Sequence, residues 1–248
     1  MSDELVSLRM MVVAAAPADQ DLWRQGAGMA AFPVDFSAHD VASAKTILAK
    51  GGTDICVVDD DLPTAEKTAV IELARAAKPA PVIFVCAPAG GSRPVGINGM
   101  LAKPLNTDDA RKAAEICVRA KIPTRVLIVD DSGTMRSIVR KILSASRFAL
   151  DMHEAAEGFA ALELLRSGKF DMVFLDYNMP GLNGIETLLE IKRESPNVAV
   201  VMMTSTVDDA IADRAHAAGV LAFLKKPFYP ADIDGVLERY YGLDAPQA

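Results

Sequence analysis

From residue 126 onward the chain alternates between two hydrophobic patterns. Residues 126–129 form a short continuous apolar run, whereas Met135, Ile138, Val139, Ile142 and Leu143 recur at i, i+3, i+4, i+7 and i+8. The first pattern predicts a strand buried on both faces and the second the apolar stripe of a helix. Further strands are predicted near residues 150–154, 172–176, 198–204 and 220–224, and helices over 159–166, 185–193, 208–217 and 231–241. Five β-α units in regular alternation predict an α/β fold, a doubly wound parallel sheet, because strands buried on both faces need a helix layer on each side.

The same pattern occurs earlier in the chain. Residues 170–180 have a counterpart at 53–63, in which Asp59 answers Asp176, and residues 219–227 answer 96–104, in which Lys103-Pro104 answers Lys226-Pro227. Two tandem five-stranded domains follow, in keeping with a length of 248 residues. The seam is expected between Lys121 and Ile122, where Pro123 separates the last amphipathic run from a new strand, giving domains 1–121 and 122–248.

Composition narrows the function classes. With 51% hydrophobic and 24% charged residues each half can bury a sizeable core, which excludes disordered and disulfide-scaffold readings. The longest apolar runs, 82–87 and 198–203, fall far short of the roughly 18 residues a membrane span needs. The acidic start Met1-Ser2-Asp3-Glu4 has no export leader, so a cytoplasmic protein is expected. A net charge of −7 without a basic stripe argues against nucleic acid and anionic membranes as partners. Cys56, Cys86 and Cys117 are widely spaced and read as reduced core thiols, and His39, His153 and His216 lack any metal-ligand spacing.

In an open α/β sheet, ligands bind outside the carboxyl ends of the strands. In the second copy that rule selects Asp130 and Asp131 after strand one, Asp176 after strand three, Thr204 and Ser205 after strand four, and Lys226 after strand five. Clustered carboxylates without His or Cys suit Mg²⁺ or Mn²⁺, and Mg²⁺ commonly joins one or two carboxylates to a substrate phosphate. Phosphoryl transfer is the expected chemistry, with one aspartate as nucleophile, Lys226 as a point charge on a phosphoryl oxygen and Thr204 as a neutral donor.

Four segments carry a family resemblance: Val126-Leu127-Ile128-Val129-Asp130-Asp131-Ser132, residues 174–184 around Asp176-Tyr177-Asn178-Met179-Pro180, Met202-Met203-Thr204-Ser205, and Phe223-Leu224-Lys225-Lys226-Pro227-Phe228. In this order and spacing, residues 122–248 resemble the receiver domain of two-component response regulators, a flavodoxin-like fold. The resemblance implies that Asp176 is the phospho-acceptor and that Asp130 and Asp131, with Asp176 and the backbone carbonyl of Asn178, hold Mg²⁺. It also implies that Thr204 is the switch hydroxyl, that Lys226 contacts the phosphoryl group before a cis Pro227, and that Phe223 is the aromatic coupled to activation. A histidine kinase or histidine phosphotransfer protein would be the donor. With the chain ending soon after the fifth helix, no effector domain is expected, and output would be a protein contact or an onward relay.

The first half resembles a degenerate receiver. Ala14 and Ala15 replace the acidic pair and Ala87 the switch hydroxyl, while Asp59 and Lys103-Pro104 remain. Metal binding and phosphorylation of Asp59 are therefore not expected of it, although Asp60 and Asp61 are either replacement carboxylates or solvated loop acids. The stretch from Ala87 to Lys103 is six residues shorter than that from Thr204 to Lys226 and is rich in Gly and Pro, which disfavours the fourth helix. A fixed docking or regulatory module is the expectation. The alternative is a module binding a kinase or an anionic small ligand such as a nucleotide, hinted at by Arg93 and Lys103. A hydrolase acting on an external substrate would need a second general base poised for water, which the motifs do not supply.

Overall fold

The computed structural model describes residues 7–87, 93–205 and 209–243. The chain divides into two compact units, Met1–Ile122 with Tyr241–Ala248, and Pro123–Tyr240. Ile122 closes the last helix of the first unit by donating its N–H to the Val118 carbonyl, so the chain leaves that unit one residue after Lys121.

The first unit contains β1 (Leu8–Val13), α1 (Pro17–Gly28), β2 (Val34–His39), α2 (Val41–Lys50), β3 (Ile55–Val58), α3 (Thr64–Ala76), β4 (Val82–Cys86), β5 (Gly99–Leu101) and α4 (Thr107–Lys121). Its sheet is parallel in the order β2-β1-β3-β4-β5. Pro17 at the start of α1 has no N–H to lose there. Asp40 and Asn106 cap α2 and α4 by accepting from the Ser43 and Asp109 amides. Between β4 and β5 the described residues hold no helix, as the Gly- and Pro-rich sequence predicts, and residues 88–92 of that stretch lie outside the description.

The second unit contains β6 (Thr124–Val129), α5 (Gly133–Ser144), β7 (Leu150–Ala155), α6 (Gly158–Ser167), β8 (Met172–Asp176), α7 (Gly184–Glu194), β9 (Ala199–Thr204), α8 (Asp209–Ala217), β10 (Ala222–Lys225) and α9 (Pro230–Tyr241). Its parallel order is β7-β6-β8-β9-β10. Both sheets therefore run 2-1-3-4-5, the flavodoxin-like order, and strand order reverses between β6 and β8. Two predicted strands start late. Val198 donates to Ser195 in a turn, and Gly219, at φ +81°, with Val220 closes the end of α8 before β10 begins.

The central strands of the second sheet are buried on both faces. Leu127, Val129, Val173, Leu175, Val200 and Met202 face one helix layer, while Val126, Ile128, Phe174 and Val201 alternate with them toward the other. Each such side chain contributes about 1.5–3 kcal/mol by leaving water, and the core holds the strand ends in fixed register. Val129 stands opposite Leu175, Asp176 opposite Met203, and Lys225 opposite Thr204. Polar groups at these carboxyl ends are thereby gathered on one edge.

Candidate functional site

Asp130 directly follows β6, Asp176 ends β8, Thr204 ends β9 and Lys226 directly follows β10. Carboxylate oxygens of Asp130, Asp131 and Asp176 all lie within 4.8 Å of one another. Asp130 is 1% exposed and Asp176 5%, whereas Asp131 is exposed. The Lys226 Nζ donates to Asp130 Oδ2 at 2.9 Å and to Asp176 Oδ1 at 2.9 Å. Its backbone N–H donates to the Thr204 carbonyl at 2.7 Å, which fixes the end of β10 against the end of β9. Thr204 is buried. The Lys226-Pro227 peptide is cis, whereas among the described residues Lys103-Pro104 is not.

Burial pushes the Asp176 carboxyl above its ordinary value, against the hydrogen bond and charge of Lys226 that favour its ionised form. For Lys226 burial disfavours the ammonium, but the hydrogen bonds and charges of Asp130 and Asp176 outweigh it and raise the pKa. Three carboxylates against one ammonium leave the cluster two negative charges in excess. An all-oxygen donor set of that charge fits a hard divalent cation such as Mg²⁺.

The loops around the cluster are tightly specified. The Ser132 amide donates to Asp130 Oδ1 at 3.0 Å, and the Ser132 hydroxyl caps α5 at the Met135 amide. Beyond Asp176, Asn183 and Glu186 form a reciprocal capping box at the start of α7. Gly184 lies so close to the strand end that a Cβ there would sit 2.6 Å from the Asp176 carbonyl oxygen. Asn178 is exposed, and its backbone amide favours the ionised Asp176 carboxylate.

Two features were not anticipated from sequence. Arg136 donates to the Asp130 carbonyl at 2.7 Å while pairing with Glu154 at 3.1 Å, and Glu154 also pairs with Arg140 at 2.6 Å. This clamp ties α5 to β7 and holds the loop that carries the acidic pair. Its only sequence signal is an i, i+4 arginine pair on α5 facing a lone glutamate on the neighbouring strand. His216 meets Phe223 edge-on, with ring centroids 5.4 Å apart and planes at 68°. Phe223 itself is partly buried against the core. Residues 206–208, which follow the expected switch residue Thr204 and Ser205, lie outside the described residues.

The family model for the response regulator receiver domain matches residues 126–238. Chemotaxis protein CheY-3 of Vibrio cholerae is 37% identical over 119 residues, which are 47% of this chain and 91% of that protein. The chain belongs to the response regulator receiver family. Chemotaxis protein CheY of Thermotoga maritima is 33% identical over 115 residues, covering 46% of this chain and 95% of its own. A solved structure described as a probable two-component system response regulator/GGDEF domain protein covers 95% of this chain and 98% of its own, with a TM-score of 0.58 at 18% identity. That likeness is one of fold, and it extends over both receiver units.

In the first receiver unit, the positions of the acidic pair carry Ala14 and Ala15, and Ala87 stands where the second unit has Thr204. Asp59 directly follows β3 and is 1% exposed. Lys103 Nζ lies 3.2 Å from Asp59 Oδ1 and 3.1 Å from Asp19 Oδ2, and also pairs with Asp61. Asp60 turns away to Lys67, at 3.2 Å. Lys103, one of two residues suggesting an anion site, is thus already surrounded by carboxylates. Arg93 donates to the Asn98 carbonyl at 3.1 Å. No helix among the described residues is long and apolar enough to cross a membrane.

Proposed function

We propose that the second receiver is the phosphoryl-accepting half of a two-component response regulator, with Asp176 as acceptor. The observation that carries this reading is the buried Asp130–Lys226–Asp176 arrangement, with both Lys226 contacts at 2.9 Å, beside Asp131 at the carboxyl edge of the sheet. In the transfer an Asp176 carboxylate oxygen donates an electron pair to phosphorus, and the phosphorus–nitrogen bond of a phosphohistidine donor breaks. The electron pair stays on the departing imidazole nitrogen, and the ring ends neutral by taking up a proton from solvent. Lys226 keeps the acceptor ionised beforehand and afterwards compensates charge on the phosphoryl oxygens.

Asp130, Asp131, Asp176 and the Asn178 carbonyl would hold Mg²⁺, which when bound neutralises charge building on the transferring group. Thr204 is read as the hydroxyl that turns to the phosphorylated carboxyl and Phe223 as the aromatic that follows it. Under this reading one phosphoryl group is accepted per chain, without turnover of an external substrate. The donor would be a histidine kinase or histidine phosphotransfer protein in the cytoplasm, and output a contact with another protein. The boundary between the two receivers is proposed after Lys121, one residue before the chain leaves the first compact unit.

The test is intact mass after incubation with a small phosphodonor and Mg²⁺. Wild type is expected to gain one phosphoryl group that is lost in Asp176→Asn and retained in Asp59→Asn. A gain that survives Asp176→Asn would refute the assignment.

A further inference from the structure

The first receiver has lost both aspartates that follow its first strand, yet it has gathered three others. Asp19 lies in the first turn of α1, at the position where α5 carries Met135, and Asp61 lies two residues beyond Asp59. Carboxylate oxygens of Asp19, Asp59 and Asp61 all lie within 4.8 Å of one another. With Lys103 among them the cluster is left with two excess negative charges, the same as Asp130, Asp131, Asp176 and Lys226 in the other unit.

An acidic cluster can be satisfied by its lysine alone, and hydrogen bonding decides against that here. Asp59 Oδ1 is well served, since it accepts from the Asp61 amide at 3.2 Å and faces Lys103 at 3.2 Å. Asp59 Oδ2 is buried and has no hydrogen-bond partner among the described residues. A buried carboxylate oxygen without a donor costs about 1–3 kcal/mol or more, and a fold retains one where something else binds it. Lys103 has already spent its charge on Oδ1 and on the two neighbouring acids.

We propose that the first receiver binds a divalent cation through Asp19, Asp59 and Asp61, a metal site rebuilt on helix α1 in place of the residues after β1. The donors are all oxygen, so the class of ion is hard, Mg²⁺ or Mn²⁺. Asp59 is the buried ligand, while the half-buried Asp19 and the more exposed Asp61 supply the open side through which the ion enters and keeps its waters.

Mn²⁺ provides the probe. In the full-length Asp130→Asn/Asp131→Asn variant, whose second site is disabled, electron paramagnetic resonance should count one bound Mn²⁺ per chain, against two in wild type. Adding Asp19→Asn or Asp61→Asn should abolish the remaining site, and both positions reach solvent, so the fold should tolerate them. Paramagnetic broadening of backbone amide signals in the double variant gives a readout that leaves the first unit unmutated, and it should centre on Asp19, Asp59 and Asp61. Absence of Mn²⁺ binding by the double variant at millimolar ion, or broadening centred elsewhere, would overturn the proposal and leave Lys103 as the resident cation. Phosphorylation of Asp176 in wild type is unaffected by that result, so the two assignments fail separately.

Discussion

Under the proposed function Asp176 must stay ionised where solvent is scarce, and the cost of doing so is visible. Burial raises its pKa above the ordinary aspartate value of 3.8 despite the Lys226 ammonium at 2.9 Å. A carboxyl whose folded pKa exceeds its unfolded one binds more protons in the native state, so its ionisation opposes folding. That penalty is absent below pH 3.8, grows through the folded pKa and is fully present above it. Asp176→Asn, measured by urea unfolding at pH 7 in chelator, should therefore stabilise the second unit by about 0.5–2 kcal/mol, and the gain should vanish as pH falls below 3.8. Lys226 keeps Asp130 as partner in the variant, so no buried ammonium is stranded. A destabilised variant at pH 7 would show that Lys226 needs both acids more than the fold is strained by them. The same scale explains what sequence reading found and missed. Asp130, Asp131, Asp176 and Lys226 were legible because each follows or ends an apolar run, and the strand fixes where the next residue points. Asp19 was not. An acid in the first turn of a helix reads as a favourable partner of the helix dipole, and only the packed position of α1 brings it to Asp59.

The strands and helices were legible for a related reason: two-sided burial leaves short apolar runs that only a covered parallel strand explains. Strand order was not, since the alternation of β and α elements is the same for several orders; the resemblance named a flavodoxin-like fold, and the order 2-1-3-4-5 is read from the structure. Close approach between elements was equally hidden. Gly184 opens α7 with its Cα so near the end of β8 that a Cβ would stand 2.7 Å from the Tyr177 Cα, whereas Gly235 in the interior of α9 has nothing within 4 Å. Two chemically identical substitutions should therefore separate in sign. Gly184→Ala forces the loop that follows Asp176 to shift and should cost about 1–3 kcal/mol, with reduced phosphorylation. Gly235→Ala should gain up to about 1 kcal/mol from the smaller entropy loss of alanine in a helix. Denaturant midpoints of the two variants against wild type decide the matter; equal midpoints would mean that the β8–α7 contact relaxes freely.

At the scale of the whole molecule, two units with separate cores carry unevenly distributed reporters. Trp23, the one tryptophan, and Cys56, Cys86 and Cys117, the three cysteines, all belong to the first unit and are all buried. Burial pushes the Cys56 thiol up to about 12 and raises Cys86 and Cys117 as well, the Asp59 charge adding to the effect at Cys86. At pH 8 roughly one Cys56 in ten thousand would be thiolate even if a reagent could reach it. Labelling by a disulfide reagent should therefore be negligible in the native protein and reach three per chain in denaturant. Across a urea titration the labelling transition should coincide with loss of native Trp23 fluorescence, because both report opening of one core. Far-UV ellipticity sums the helices of both units and so contains a component that neither reporter sees. Asp176→Asn should move that component to higher urea and leave the fluorescence and labelling midpoints in place. If all three signals shifted together, the receivers would be unfolding as one cooperative body, and a cation bound in either would stabilise both.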